Sequence, residues 1–236
     1  MVLQSWPFFG LSITTPRLEL RYVDDDLADG LMQLAARDGV HAPDFMPFTV
    51  PWTRFEPPHL QRQGMQHYWR GRASLAPERW TLPFAVFDDG TLVGVQDLAA
   101  EHFSVTRSVT TGSWLGRSHQ GRGIGKEMRA AVLHLAFAAL GAEVAHTSAF
   151  ADNGPSQGVT RSLGYRENGW QVDDREGVAV RHDRFVMERA DWERRRRDDI
   201  SVEGLEPCLP MLLGTGTGMG PGEADQPPRD TTTSSV

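Results

Sequence analysis

The stretch with the most chemical content runs from Val109 to Lys126 and reads Val-Thr-Thr-Gly-Ser-Trp-Leu-Gly-Arg-Ser-His-Gln-Gly-Arg-Gly-Ile-Gly-Lys. An alternating run enters a loop, and the loop enters a helical pattern. Glycine at 121, 123 and 125 removes the side chains that would hold a ligand away from the backbone. A helix starting there offers free N–H groups and the positive end of its macrodipole, which suit a phosphate or pyrophosphate. Arg117, Arg122 and Lys126 add positive charge at the rim. Two nucleotide-binding patterns do not fit. G-x-G-x-x-G is absent and several strands precede the turn, and Lys126 is followed by Glu127 where a Walker A loop needs Ser or Thr.

A second block, Asn153-Gly-Pro-Ser156 followed by Leu163-Gly-Tyr165, reads as a capped short helix with polar groups at its start. Titratable side chains of a type that serves as general base are His41, Asp44, Asp97, Glu101, His102 and His119. Of these, Glu101 and His102 fall just beyond a strand, where they face either an acceptor cleft or solvent from a loop. Metal chemistry has little support, because the eight histidines are scattered and H-E-x-x-H is absent. Asp24 to Asp26 read as a helix cap. G-x-S-x-G is absent too, which argues against a serine hydrolase.

The elements that must position these residues follow from periodicity. Leu18 to Val23 alternates as a strand, and Asp24, Asp25 and Asp26 then cap a helix through about Arg37, stopped by Gly39. Five prolines between His41 and Pro58 forbid a long helix there, yet Phe45, Met46, Phe48, Trp52 and Phe55 make that segment apolar, so it covers core or lines a pocket. A second helix spans His59 to about Ala73. Strands are expected at Thr81 to Phe87, Thr91 to Leu98 and Val109 to Leu115, with a hairpin turn at Asp88-Asp89-Gly90. After the glycines come a helix ending near Gly141, a strand over Val144 to Phe150 and a short helix over Ser156 to Leu163. Strands at Tyr165 to Val172 and His182 to Arg189 complete the set. The expected fold is α/β, a mixed, mostly antiparallel sheet of about seven strands with helices on both faces.

The main domain is assigned to 13–190, preceded by an apolar extension over 1–12 and followed by a helix and docking segment over 191–213. A disordered tail is expected over 214–236. Trp6, Phe8 and Phe9 are expected to pack on the domain or a second subunit. No run reaches the roughly 18 apolar residues of a membrane span, and no signal peptide is recognised. The formal charge of −7 argues against nonspecific nucleic-acid binding. The charged run Ala190 to Asp199 reads as a solvated helix end. The single cysteine, Cys208, rules out a disulfide within one chain and fits a cytoplasmic setting.

Gln120-Gly-Arg-Gly-Ile-Gly125 resembles the acyl-coenzyme A signature Q/R-x-x-G-x-G/A of the GNAT superfamily of N-acyltransferases, at the expected junction of fourth strand and helix. The 153–165 block resembles the N-x-x-S and L-G-F/Y pattern of the branch that includes the ribosomal-protein N-terminal acetyltransferases. Met46-Pro-Phe, Val50-Pro-Trp52, Gly112 to Gly116 and Gly204 to Pro210 are similar to an actinobacterial group with a succinyltransferase-like member. The resemblance covers roughly Ile13 to Arg189. It implies acetyl- or succinyl-coenzyme A as donor and a primary amine as acceptor; no metal is expected, and a homodimer is the default assembly because closed cyclic pairs are common. It implies that Gln120, Gly121, Arg122, Gly123, Ile124, Gly125 and Lys126, with Arg117, hold the pyrophosphate. Trp114 and Leu115, on a fourth strand that the resemblance implies is splayed from its neighbour, would pair with pantetheine through their backbone and polarise the thioester. Asn153 and Ser156 would act at the cofactor sulfur, because the position where many members carry a tyrosine acid is Thr160 here. Glu101 is the base taken from the candidates above. Phe45, Met46, Trp52, Trp69 and Arg70 would shape the acceptor pocket, and Arg70, Arg72 or His41 would pair with a succinyl carboxylate. A non-catalytic acyl-coenzyme A sensor is the alternative function.

Overall fold

The computed structural model describes residues 5–214, so the tail expectation beyond Gly214 and the start of the N-terminal extension lie outside the described residues. The chain forms β1 (Ser12–Thr14), β2 (Leu18–Tyr22), α1 (Asp25–Asp38), α2 (His59–Ala73), β3 (Arg79–Asp88) and β4 (Thr91–Glu101). It continues with α3 (Phe103–Thr106), β5 (Ser108–Leu115), α4 (Ile124–His134), β6 (Val144–Phe150) and α5 (Gly154–Leu163). It closes with β7 (Arg166–Arg175), β8 (Val178–Glu188), α6 (Arg189–Glu193), β9 (Ser201–Glu203) and α7 (Leu209–Leu213). All strands join one sheet in the order β7-β8-β6-β5-β4-β3-β2-β1-β9. Only β5 and β6 run parallel; every other neighbouring pair is antiparallel.

Among the described residues the sheet therefore has nine strands, where the sequence suggests about seven. The additions, β1 and β9, are three residues long each, too short to show an alternation of their own. They pair with one another, Ile13 opposite Val202, and extend the β2 edge.

Two helices, α1 and α5, carry a side-chain cap at the N-terminus, and α1, α2 and α4 each bury one apolar face. In α1, Asp24 accepts the Leu27 N–H at 2.8 Å, Asp25 and Asp26 sit in the positive first turn, and Gly39 at φ +67° ends the helix. Its buried residues Ala28, Leu31, Met32 and Ala35 pack with Leu60 and Tyr68 of α2 on one face of the sheet, against Ala85 and Val95. The opposite face carries α4, whose Ile124, Met128 and Val132 pack with Leu98, Val109 and Ala145. α4 continues over Leu135–Ala139 as a wider π turn, with the Leu140 N–H bonded to the Leu135 carbonyl at 2.9 Å.

One break in the sheet matters for function. β5 and β6 pair only at Ser108–Val144, Val109–Ala145 and Thr110–His146. Beyond that point β5 runs on to Leu115 along β4, and β6 runs on to Phe150 along β8. A V-shaped opening results, with Thr147 Oγ1 donating to the Thr111 carbonyl (3.2 Å) at its apex.

Candidate active site

The glycine turn joins the open end of β5 to α4. Gly121 and Gly123 have φ of +72° and +81°, a region that costs an L-residue strain, and nothing lies within 4 Å of where a Cβ would sit on either. Gly123 occupies the N-cap position and offers no side chain to α4. Among the described residues, no backbone carbonyl or side chain takes the N–H of Gly121, Arg122, Gly123, Ile124 or Gly125. These donors, with the α4 dipole behind them, make a cradle for an anion.

The turn is held from below by three contacts with the end of α1. Arg117 N–H donates to the Gly39 carbonyl (3.1 Å), Ser118 Oγ to Asp38 (2.5 Å), and Gln120 Nε2 to the Val40 and Leu115 carbonyls (2.7 and 3.0 Å). Gln120 thus shapes the turn through its side chain. From the side, Arg17 makes a two-pronged ion pair with Asp88 (2.8 and 2.7 Å) and donates to the Arg122 carbonyl (2.9 Å). Asp88 also accepts from Arg122 itself (3.3 Å), and the Arg17 hydrogen bond holds the Asp88 carboxyl below the usual carboxylate range. Arg117, Arg122 and Lys126 are all exposed around the turn.

Across the opening, α5 begins at the tip of β6. Asn153 caps it, its Oδ1 accepting the Ser156 N–H at 3.2 Å, and this fixes Ser156 on the first turn. Thr160 Oγ1 donates to the Ser156 carbonyl (2.9 Å) and receives Arg129 Nη1 of α4 (2.8 Å). Arg129 Nη2 reaches Ser113 Oγ on β5 at 3.4 Å. Arg129 escapes a reading of the sequence by motif, and Thr160 enters one only as the place of a missing tyrosine acid. The signal for Arg129 was an arginine placed on the apolar stripe of α4, between Met128 and Val132.

Trp114 faces the other side of the sheet, packing with Trp52 at a ring distance of 5.7 Å, while Trp52 packs on Phe48. The segment that carries these aromatics crosses to the β7–β8 hairpin, where Arg54 pairs with Glu176 (2.7 and 2.9 Å) and Arg175 lies over Phe45. The proline-rich stretch is thus a strap over the opening. On the same face Asp97 of β4 stands opposite Gly112 of β5. Its Oδ2 is 3.9 Å from where a Gly112 Cβ would be. Among the described residues no side chain donates to its carboxylate, which borders a cavity of about 50 Å³ walled by Tyr22, His67, Tyr68 and Arg72. Burial pushes the Asp97 carboxyl up to about 7.

Glu101 stands apart from this constellation. It ends β4 opposite Arg79, with which it forms an exposed ion pair (3.5 Å), beyond the last β4–β5 pair at Ala99–Thr110. The opening lies at the other end of that strand pair. Arg72 is engaged by Asp25 (2.8 Å) and lies over Phe9, and His41 Nε2 is bonded to Thr53 (2.6 Å). Trp69 bonds Asp25 at 3.1 Å. Among the described residues there is no group of His, Cys, Asp and Glu arranged to hold a metal ion, and no helix is long and apolar enough to cross a membrane.

The fold is similar to that of several solved N-acetyltransferases. RimL, a ribosomal L7/L12 alpha-N-protein acetyltransferase solved with coenzyme A, superposes with a TM-score of 0.63 at 20% identity, over 74% of this chain and 95% of that one. RimJ of Mycobacterium smegmatis gives 0.61 at 21% identity, over 77% and 88%. The spermidine/spermine N-acetyltransferase SpeG of Vibrio cholerae gives 0.59 at 18% identity, over 77% and 99%. The model of the acetyltransferase (GNAT) domain matches residues 17–166, a span that runs from β2 through the glycine turn and α5 to the start of β7. With that match the chain belongs to the GNAT acetyltransferase family and is an acyl-coenzyme A-dependent N-acyltransferase.

Proposed function

We propose that acetyl-coenzyme A lies in the β5–β6 opening with its pyrophosphate on the N–H groups of residues 121–125, and that a primary amine approaches from the face that bears Asp97, Trp52 and Trp114. The observation that carries this is the coincidence of two open structures. β5 loses its β6 partner after Thr110, and five consecutive N–H groups are free where β5 passes into α4. The backbone of Trp114 and Leu115 would align pantetheine, and Ser156 Oγ, fixed by the Asn153 cap, would reach the sulfur. Lys126, Arg122 and Arg117 would screen the phosphates.

The carboxylate at 97 replaces Glu101 as the base in this scheme. A base works best with a pKa near the operating pH, and Asp97, pushed up to about 7, holds a place on the acceptor side that Glu101 does not. The donor is taken as acetyl rather than succinyl, since Arg72 and His41 are already engaged by Asp25 and Thr53 and Arg70 is exposed on α2. The working form would be cytoplasmic and homodimeric without a metal. The exposed Trp170, Val172 and Val178 of the β7–β8 hairpin offer the surface for a second copy, which sedimentation would test.

Calorimetric titration with acetyl-, succinyl- and free coenzyme A, using Gly123→Trp to block the turn, tests the donor site. Acetyl-coenzyme A should bind the wild type and fail with the variant. If no coenzyme A form binds the folded wild type, the scheme is wrong.

A further inference from the structure

Arg129 is a buried charge for which the scheme above has no use. It is 4% exposed. Its Nη atoms meet two neutral hydroxyls, Thr160 and Ser113, and its Nε has no partner. Among the described residues no carboxylate pairs with it. Of the titratable groups, the one that acts on it is the Tyr165 hydroxyl, itself buried and raised by burial. The carboxylate of Asp183 on β8 is engaged by Arg181 and Gln157. The hydroxyls of Thr111 and Tyr165 are also buried, with no hydrogen bond beyond a loose contact with one another. A buried cation with no counter-charge is costly, and replacing one by an apolar side chain is often stabilising. A site that keeps the cation while surrounding it with unpartnered polar atoms is arranged for a negative charge that arrives later.

The place of the cluster says which charge that is. Ser113 belongs to β5 and Thr160 to α5, so Arg129 of α4 ties together the elements that bound the β5–β6 opening on the side where Ser156 begins α5. The proton of Thr160 is committed to the Ser156 carbonyl. Thr160 therefore has no proton to give a leaving group.

We propose that Arg129 supplies the positive charge that lets coenzyme A depart as a thiolate. Resting on the donor placement above, the step balances as follows. The neutral amine nitrogen attacks the thioester carbonyl carbon and the N–C bond forms. The C–S bond then breaks with its electron pair staying on sulfur, and the amine proton passes to Asp97. The sulfur leaves as an anion opposite the guanidinium and takes a proton from solvent after release. Arg129 acts across the Thr160 and Ser113 hydroxyls and is a positioning residue. In so dry a setting its field is far stronger than in water.

The test is the ultraviolet titration of the coenzyme A thiol bound to wild type, Arg129→Met and Arg129→Lys, with free coenzyme A as reference. The bound thiol should titrate about one unit or more below the free thiol in the wild type, a tenfold change in its ionisation constant. It should return to the free value in Arg129→Met and stay partly lowered in Arg129→Lys. Acetyl transfer by Arg129→Met should lose about 10²-fold in kcat with little change in KM, and its Tm should hold or rise. A bound thiol that titrates like free coenzyme A in the wild type overturns the proposal. So does a loss in Arg129→Met confined to succinyl-coenzyme A, which would make Arg129 a binder of the donor carboxylate. Absence of coenzyme A binding would instead defeat the donor placement, so the two failures are distinguishable.

Discussion

At the scale of single residues, Asp97 and Glu101 are four positions apart on one strand and chemically equivalent, and only tertiary placement separates them. The strand register puts Asp97 against Gly112 and under α2, while Glu101 projects into solvent beside Arg79. That difference is invisible in the sequence, which offers six candidate bases and no way to pair β4 with β5. The raised Asp97 carboxyl has two measurable consequences. As base it must be ionised, so kcat should rise with pH through about 7, and Asp97→Asn should lose this limb together with about 10²-fold in rate. The stability consequence has the opposite direction. The folded-state pKa lies above the unfolded one, so the stability that Asp97 contributes is fully present below about 4 and is lost as pH climbs through about 7. Relative to the wild type, Asp97→Asn should therefore gain Tm at pH 8 and gain little at pH 4. A pH–rate profile and melting curves at the two pH values check both, and an unchanged rising limb in Asp97→Asn would remove Asp97 from the mechanism.

At the scale of elements, most of the scaffold was legible because its signals are local. The Asp24 cap, the Gly39 stop and the glycines that open α4 each lie within a turn of what they control. The opening between β5 and β6 was not legible from periodicity, since both strands keep alternating past the point where they part; it entered through the family resemblance alone. Nor did the sequence show what holds the turn. Gln120 belongs to the signature, yet its side chain bonds the carbonyls of Val40 and Leu115, and no local pattern links residue 120 to residue 40. Gln120→Leu leaves both carbonyls unpaired, a cost of about 1–3 kcal/mol for each that stays buried. The expected outcome is acetyl-coenzyme A affinity weakened about tenfold with kcat nearly unchanged, read by calorimetry and steady-state kinetics. Gly123→Ala should act on the same element through φ +81°, costing about 1–2 kcal/mol of strain and weakening the same affinity. A fall in kcat with unchanged affinity in either variant would mean that the turn does not carry the pyrophosphate.

At the scale of the whole molecule, the two ends of the described chain complete the core that the site rests on. Phe8 and Leu11 from the N-terminal side, and Cys208 and Leu212 from the C-terminal side, are almost wholly buried in the same cluster as Trp80 and Phe84. Trp80 Nε1 donates to the Leu212 carbonyl at 3.2 Å, and β9 pairs with β1. The segment Leu205 to Leu213 thus docks on this chain, although α7 follows the matched domain by more than forty residues. The run of arginines before it spends its charge on nearby acids: Arg194 on Asp191, Arg196 on Asp198 and Arg197 on Asp199. Trp192 anchors that run by stacking on Phe137 at 5.2 Å. Removing the Leu212 side chain should therefore destabilise the entire sheet edge rather than a tail. Leu212→Ala should cost about 2–5 kcal/mol, a drop in Tm of roughly 5–15 °C for a chain of this size. Acetyl-coenzyme A affinity measured well below the transition should stay as in the wild type, because Leu212 belongs to the cluster around Trp80 and Phe8, whereas the turn is braced by Val40, Asp38 and Asp88. Thermal melting with calorimetry at low temperature separates the two effects. A Tm within about 2 °C of the wild type, less than 1 kcal/mol on the same scale, would mean that the C-terminal segment is an appendage and that the core closes without it.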